Sequence, residues 1–194
     1  MIGLFFGSFN PIHVGHLILA NYMLSFHDID ELWFVISPHN PLKNKKTLLD
    51  EKQRLNMVNA AIDEMPKMRA SSIEFGLPQP SYTIHTMVAL EEKYPNKKFT
   101  LIMGADTISS ITKWKNYELL LEKYPILVYP RIGFELSKEF LDSLPNSNIK
   151  FTEAPTIEIS STFIRSAIKG KKDVRFFLPK NVFTYIDEMN LYKN

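Results

Sequence analysis

The chain has 194 residues, of which 45% are hydrophobic and 23% charged, as is typical of a globular protein. A formal net charge of +2 is too small for a general nucleic-acid surface, and the absence of cysteine excludes disulfides and thiolate catalysis by this chain. The first apolar run is too short for a signal peptide, and no run has the length of a membrane span. We therefore expect a cytoplasmic enzyme or binding protein with no nucleic-acid or membrane partner.

Apolar runs of strand length alternate with segments of helical periodicity along almost the whole chain. In chain order, strands are predicted at 1–6, 32–37, 68–75 (a weaker pattern), 99–103, 126–129 and 149–151. Helices are predicted at 17–24, from Asp50 through Ile62, at 81–93, 114–122 and 160–168, and from Pro179 onward, with a short helix between 133 and 148. This alternation predicts an α/β fold, a Rossmann-like doubly wound parallel sheet with helices on both faces. We expect a single domain over 1–194, with a C-terminal helical part at about 155–194.

Three polar stretches marked by proline or glycine follow predicted strands, at 7–16, 38–46 and 104–106. In a parallel sheet, ligands bind beyond the carboxyl ends of the strands. The sequence therefore predicts that these stretches lie along one edge of the sheet and form a ligand site.

The stretch 7–16 joins the first strand to the first helix. Gly7 permits close approach of a ligand, and Pro11 stiffens the turn. Free N–H groups at the helix start would bind an anion. His13 and His16 are three residues apart and would face the same way, as hydrogen-bond donors to phosphate. Two alternatives stay open, a plain polar corner and a zinc site, although a catalytic zinc needs three protein ligands.

A second helix start lies near the other end of the chain, where Ser160 or Ser161 is suited to cap a helix. Arg165 lies three or four residues beyond Thr162 and Ser161, on the same helical face. Hydroxyls, free amides and a guanidinium on one side indicate a second site for polyphosphate. The alternative is a capped helix with a solvated arginine.

Together the two motifs resemble the nucleotidylyltransferase superfamily, which has HxGH and ISSTxxR signatures. The matching segments are Gly7 to His16 and Ile159 to Arg165. Further matches at Pro80-Ser81-Tyr82-Thr83, Gly104-Ala105-Asp106, Trp114 and 179–186 make the whole chain similar to the bacterial nicotinate-nucleotide adenylyltransferases.

Two departures from that family stand out. Asn40-Pro41-Leu42-Lys43 replaces a Pro-Pro-His-Lys loop, so a phosphate contact by Lys43 survives but a role for the loop's histidine does not. His85 replaces an acidic residue that usually follows the Ser-Tyr-Thr motif.

The resemblance implies transfer of AMP from ATP to nicotinate mononucleotide, with Mg²⁺ carried on the ATP phosphates and no protein metal site. It implies catalytic roles for His13, His16 and Arg165. It implies ATP contacts for Gly7, Ser8, Phe9, Gly104, Asp106, Ser161 and Thr162. It implies mononucleotide contacts for Lys43, Tyr82, Thr83, Trp114 and Arg131.

The sequence leaves alternative functions open. The acceptor could be nicotinamide mononucleotide or phosphopantetheine, although phosphopantetheine enzymes usually lack the first histidine of the HxGH motif, which His13 supplies here. The same fold could also serve a nucleotide sensor without catalysis. The sequence does not give the oligomeric state, and a homo-oligomer stays open.

Overall fold

The computed structural model describes residues 1–38, 48–144 and 148–193, and in these residues one parallel sheet forms the centre of the fold. The strands are β1 (Ile2–Gly7), β2 (Glu31–Ile36), β3 (Met68–Ser71), β4 (Phe99–Gly104), β5 (Ile126–Tyr129) and β6 (Ile149–Phe151). Their order is β3-β2-β1-β4-β5-β6, and every neighbouring pair is parallel. This is the strand order of a Rossmann fold, and it confirms the predicted sheet.

Helices connect the strands and cover both faces of the sheet. They are α1 (Val14–Phe26), α2 (Glu51–Ile62), α3 (Thr83–Lys93), α4 (Ala105–Ile108), α5 (Tyr117–Lys123), α6 (Lys138–Ser143), α7 (Ser161–Lys169) and α8 (Lys180–Glu188). Short 3₁₀ turns occur at Ile73–Gly76 and Ile111–Lys113. Among the described residues, no helix combines the length and the apolar character that a membrane crossing requires.

Alternation of side chains along the strands divides the core into two layers. Phe5 and Phe34 face the layer that α1, α2, α7 and α8 cover. Leu4 and Trp33 face the opposite layer, which is covered by α3, α4 and α5. Because both faces are buried, the central strands are apolar at nearly every position, which is why they could be recognised as continuous apolar runs.

The strand order reverses between β1 and β4, and both strands end at the same edge of the sheet. The stretches 7–16 and 104–106 therefore lie together at this edge, as predicted from the sequence. The third stretch lies almost entirely in 39–47, outside the described residues, and with it the predicted site residue Lys43.

Two predicted elements differ from the structure. The strand expected at 68–75 ends at Ser71, and a 3₁₀ turn takes up its second half. The helix expected at 114–122 starts only at Tyr117, because Asn116 has a left-handed backbone with φ of 52°. Trp114 consequently lies on the connection that precedes α5.

Candidate active site

The turn from β1 to α1 has a tightly packed backbone. Phe9 has φ of 45°, a left-handed conformation that is rare outside glycine. Its ring is 2% exposed and makes edge contacts with Phe5, Phe34 and His16. A Cβ on Gly7 would lie 2.7 Å from Cζ of this ring. Gly7 is therefore needed so that the Phe9 ring can fill the core beneath the turn.

His13 and His16 form a stacked pair at the start of α1, with ring centroids 3.7 Å apart. His13 is the N-cap residue, and its backbone N–H donates to Nδ1 of His16 over 3.2 Å. A neutral His16 with Nδ1 accepting must carry its proton on Nε2. The pair thus faces one way, as predicted, and its hydrogen bond selects the tautomer of His16.

Helix α7 is bonded directly to the β1–α1 turn. The Ser161 hydroxyl donates to the Pro11 carbonyl oxygen over 2.8 Å, and Nη1 of Arg165 donates to the Asn10 carbonyl oxygen over 2.8 Å. Nη2 of Arg165 also donates to Oγ1 of Thr162 over 3.2 Å. Ser160 caps the helix by accepting from the Phe163 N–H. The two motifs from opposite ends of the chain therefore meet in one place.

Asp106 and Arg131 follow β4 and β5 and line the same cavity as the histidines. Nε of Arg131 is 3.7 Å from Oδ1 of Asp106, an ion pair that leaves Oδ1 buried and without a hydrogen bond within the described part of the chain. Burial and the nearby Arg131 charge lower the pKa of His13 from 6.5 to about 4. His13 is therefore neutral at pH 7.

These elements enclose a cavity of about 520 Å³ at the edge of the sheet. Its lining includes most of the predicted ATP and catalytic residues: Gly7, Ser8, Phe9, His13, His16, Asp106, Ser161, Thr162 and Arg165. Arg131, for which the family resemblance implies a mononucleotide contact, also lines this cavity. Its ion pair with Asp106 lies at the same cavity, because Asp106 lines it as well.

A smaller cavity of about 50 Å³ adjoins the first one. Thr83, Trp114 and Gly104 line it, and the expected contact of Gly104 with ATP stays a prediction. Phe5, Phe6, Thr107 and Tyr129 line both cavities. Tyr82 is the N-cap of α3 and does not line this cavity among the described residues, and Nζ of Lys115 lies 4.8 Å from the centre of its ring.

Sequence reasoning missed two buried charged residues beside the site. Arg54 is fully buried and donates to four backbone carbonyls, among them that of Ser8. Glu74 is 3% exposed and accepts hydrogen bonds from the Ser81 and Thr86 hydroxyls, which hold the start of α3. Burial raises the pKa of the Glu74 carboxyl. For Arg54 the only signal was its position among the apolar residues of an amphipathic helix.

Comparisons with known proteins agree with this geometry. The model of the cytidylyltransferase-like family matches residues 4–167. A Flavobacterium johnsoniae protein named "Probable nicotinate-nucleotide adenylyltransferase" is 54% identical over 192 residues, covering 99% of this chain and 98% of that protein. A Bacteroides thetaiotaomicron protein of the same name is 46% identical, covering 96% of this chain and 90% of that protein.

Solved structures support the fold. The nicotinic acid mononucleotide adenylyltransferase of Plasmodium falciparum, complexed with NaAD, has a TM-score of 0.80 at 22% identity, and the match covers 98% of this chain and 96% of that one. A putative nicotinate-nucleotide adenylyltransferase from Vibrio parahaemolyticus has a TM-score of 0.73 at 21% identity, covering 100% and 95%. These structures show the fold, whereas the family follows from the sequence. Because the chain matches the family model over 4–167 and is 54% identical to a curated relative over 192 residues, it belongs to the nicotinate-nucleotide adenylyltransferase family of cytidylyltransferase-like proteins.

Proposed function

We propose that the protein transfers AMP from ATP to nicotinate mononucleotide, giving nicotinate adenine dinucleotide and pyrophosphate. The observation that supports this most directly is the junction of the two motifs. Ser161 and Arg165 of α7 bond to carbonyls of the β1–α1 turn, at the wall of the 520 Å³ cavity. One triphosphate can therefore contact both helix starts at once.

The reaction requires little proton transfer. A phosphate oxygen of the mononucleotide attacks the α-phosphorus of ATP and forms a new P–O bond. The bond from the α-phosphorus to the bridging oxygen breaks, and its electron pair leaves on pyrophosphate. Because the attacking oxygen is already anionic, catalysis depends on alignment of the substrates and stabilisation of charge.

Groups in the large cavity suit the triphosphate. We assign to Nε2–H of His16 a hydrogen bond to the phosphate that undergoes transfer, since its tautomer makes it a donor. Arg165 and the Thr162 hydroxyl would hold the leaving pyrophosphate. Ser161 donates its only hydroxyl proton to Pro11, so in this conformation it tethers α7 and can only accept from a further group.

We propose that Mg²⁺ travels with ATP. Within the described ranges, no three histidine or acidic side chains converge as a metal site. Mg²⁺ commonly keeps water ligands and binds substrate phosphates, so a site made mainly of ATP oxygens fits this chain. The ion would neutralise part of the charge on the leaving pyrophosphate.

The pyridine ring of the acceptor is proposed to bind at the smaller cavity, where Thr83 begins α3, with the rest of the mononucleotide in the larger cavity beside it. The first N–H groups of a helix have no acceptor within the helix and favour a carboxylate, which accepts without needing to donate. Trp114 lines the same cavity and offers a flat face to the pyridine ring. These features favour nicotinate over nicotinamide as the ring of the acceptor.

The test is pyrophosphate release from ATP and Mg²⁺ with nicotinate mononucleotide, with nicotinamide mononucleotide, and with no acceptor. We expect release that depends on an acceptor and clearly higher kcat/KM for the acid. Equal kcat/KM for the two mononucleotides would refute the preference for nicotinate mononucleotide. Pyrophosphate release that does not depend on any acceptor would refute the proposed AMP transfer. Trp114→Ala should raise KM for the mononucleotide about tenfold through lost stacking, with KM for ATP unchanged.

A further inference from the structure

Arg54 is a fully buried cation beneath the β1–α1 turn. Its Nη1 donates to the carbonyl oxygens of Ser8 over 2.6 Å and Ser37 over 2.8 Å. Its Nη2 donates to Pro38 over 2.9 Å, and its Nε donates to Leu49 over 3.0 Å. One side chain thus joins the end of β1, the end of β2 and the start of α2.

The carbonyls around Arg54 do not neutralise its charge. Within residues 1–38, 48–144 and 148–193, its hydrogen-bond acceptors are backbone oxygens, and no carboxylate forms an ion pair with it. A buried charge of this kind is weak evidence for stability, since apolar side chains of similar size often stabilise a core as well. We therefore expect the function of this buried arginine to lie at the β1–α1 turn, whose Ser8 carbonyl accepts a hydrogen bond from it.

The hydrogen bond to Ser8 determines the direction of the next amide. The Ser8–Phe9 peptide bond is trans, so its C=O and N–H point in opposite directions. The C=O points at Arg54, which does not line the large cavity, whereas Ser8 and Phe9 do. The N–H of Phe9 consequently points away from Arg54, and because Ser8 and Phe9 both line the cavity we infer that this N–H faces it.

Phe9 is held in a conformation that it would not adopt alone. Its φ of 45° is disfavoured for a residue with a Cβ, and such conformations persist where the surroundings impose them. The aromatic contacts of the Phe9 ring fix one side of this residue, and the bond from Arg54 to the Ser8 carbonyl fixes the peptide that precedes it. The two restraints together orient one amide.

We propose that Arg54 is a positioning residue, which holds the Ser8 carbonyl so that the Phe9 amide donates to a phosphate of the substrate. The inference rests on the proposed function for the identity of that phosphate. Arg54 does not touch the substrate and acts through the backbone of the turn. Its charge, which nearby Glu51 and Asp50 partly offset without a direct ion pair, adds a positive potential beneath the same anion.

Arg54→Lys separates the geometry from the charge, because lysine keeps the charge but cannot donate to four carbonyls in a planar arrangement. Misplacement of a positioned group by about 1 Å can cost about 10²-fold in rate, and we expect kcat to fall by that order while KM for the mononucleotide stays within about threefold. Arg69→Lys is the matched control. Arg69 stacks on Trp33, outside both cavities, so its variant should keep kcat within about threefold even if Tm falls.

A second measurement does not depend on turnover. In ¹⁵N-phenylalanine-labelled protein, the Phe9 amide is assigned by its loss in Phe9→Leu, and pyrophosphate with Mg²⁺ is then titrated. We expect this amide to shift in the wild type and in Arg69→Lys, and to respond weakly or not at all in Arg54→Lys.

Several results would overturn the proposal. One is an Arg54→Lys variant that keeps kcat within about threefold of wild type. Another is an Arg54→Lys variant whose Phe9 amide responds as in the wild type. If Arg54→Lys does not fold, the wild type still tests the proposal. A Phe9 amide whose chemical shift does not change when pyrophosphate is added to the wild type would refute it. A wild type with the Arg54-dependent shift but no mononucleotide-dependent turnover would refute the proposed reaction and leave the role of Arg54 standing.

Discussion

Acid should destabilise this protein through His13. In the folded chain burial and Arg131 lower the pKa of His13 to about 4, whereas the unfolded chain titrates near the ordinary value of 6.5. Between these values the unfolded state binds a proton that the folded state does not, so the free energy of unfolding decreases as the pH falls. The contribution of His13 to the free energy of unfolding is therefore fully present above about pH 6.5. At 1.36 kcal/mol for each pKa unit, the loss from His13 by about pH 4 is about 3 kcal/mol.

The assay compares urea unfolding of the wild type and of His13→Gln at about pH 7 and about pH 5. Glutamine does not titrate, so the wild type should lose about 2 kcal/mol more than the variant over this interval. His27, whose pKa burial and the Lys150 charge also lower, is present in both proteins and cancels in the difference. Equal losses in the two proteins would mean that His13 is not a neutral buried imidazole, and the electrostatic account of the site would fail.

Three further changes test particular contacts. His16→Ala removes a preorganised donor and should lower kcat about 10²–10³-fold with Tm nearly unchanged, and kcat within a few-fold of wild type would contradict its role. Gly15→Ala would bring a Cβ to 2.7 Å from Cγ2 of Ile157, so both Tm in a thermal melt and kcat should fall, and an unchanged melt would refute the close packing. Tyr192→Phe removes the 2.8 Å hydrogen bond to Oδ1 of Asn10, so we expect a loss of about 1 kcal/mol and a Tm lower by about 2–4 °C, whereas an unchanged Tm would show that the bond contributes nothing net.

The sheet and the two phosphate motifs could be predicted from the sequence because their signals are local. Buried parallel strands are continuous apolar runs, as in β1 and β4. Proline, glycine and paired histidines mark the β1–α1 turn, and Ser160 marks the start of α7. Only the family resemblance implies that the two motifs meet, since no local pattern specifies a contact between Ser161 and Pro11.

The remaining features depend on contacts between distant segments. Arg54 appears in the sequence as an ordinary helical arginine, and it is buried because carbonyls from three separate segments surround it. The expected helix at 114–122 was wrong at its start, because helical periodicity does not reveal the left-handed Asn116. The end of β5 brings Arg131 to Asp106 on the neighbouring strand connection, a contact that its sequence position does not reveal, and its mononucleotide contact stays a prediction. A cation's partner is set by topology, which the residue type alone does not contain.

The histidines and the arginines contribute differently to the site. The histidines determine the direction of a hydrogen bond, and the arginines supply positive charge. His13 is neutral at pH 7, and its backbone N–H selects the tautomer of His16 in which Nε2 is a donor. The Nε2–H of His16 gives a defined hydrogen-bond direction, and a neutral His13 adds no repulsion among Arg54, Arg131 and Arg165. Those arginines supply the positive potential, and each is held by backbone carbonyls, so each keeps its place before substrate arrives. A site of this design stabilises charge that passes to a leaving group, which adenylyl transfer requires, and has no need of a general base.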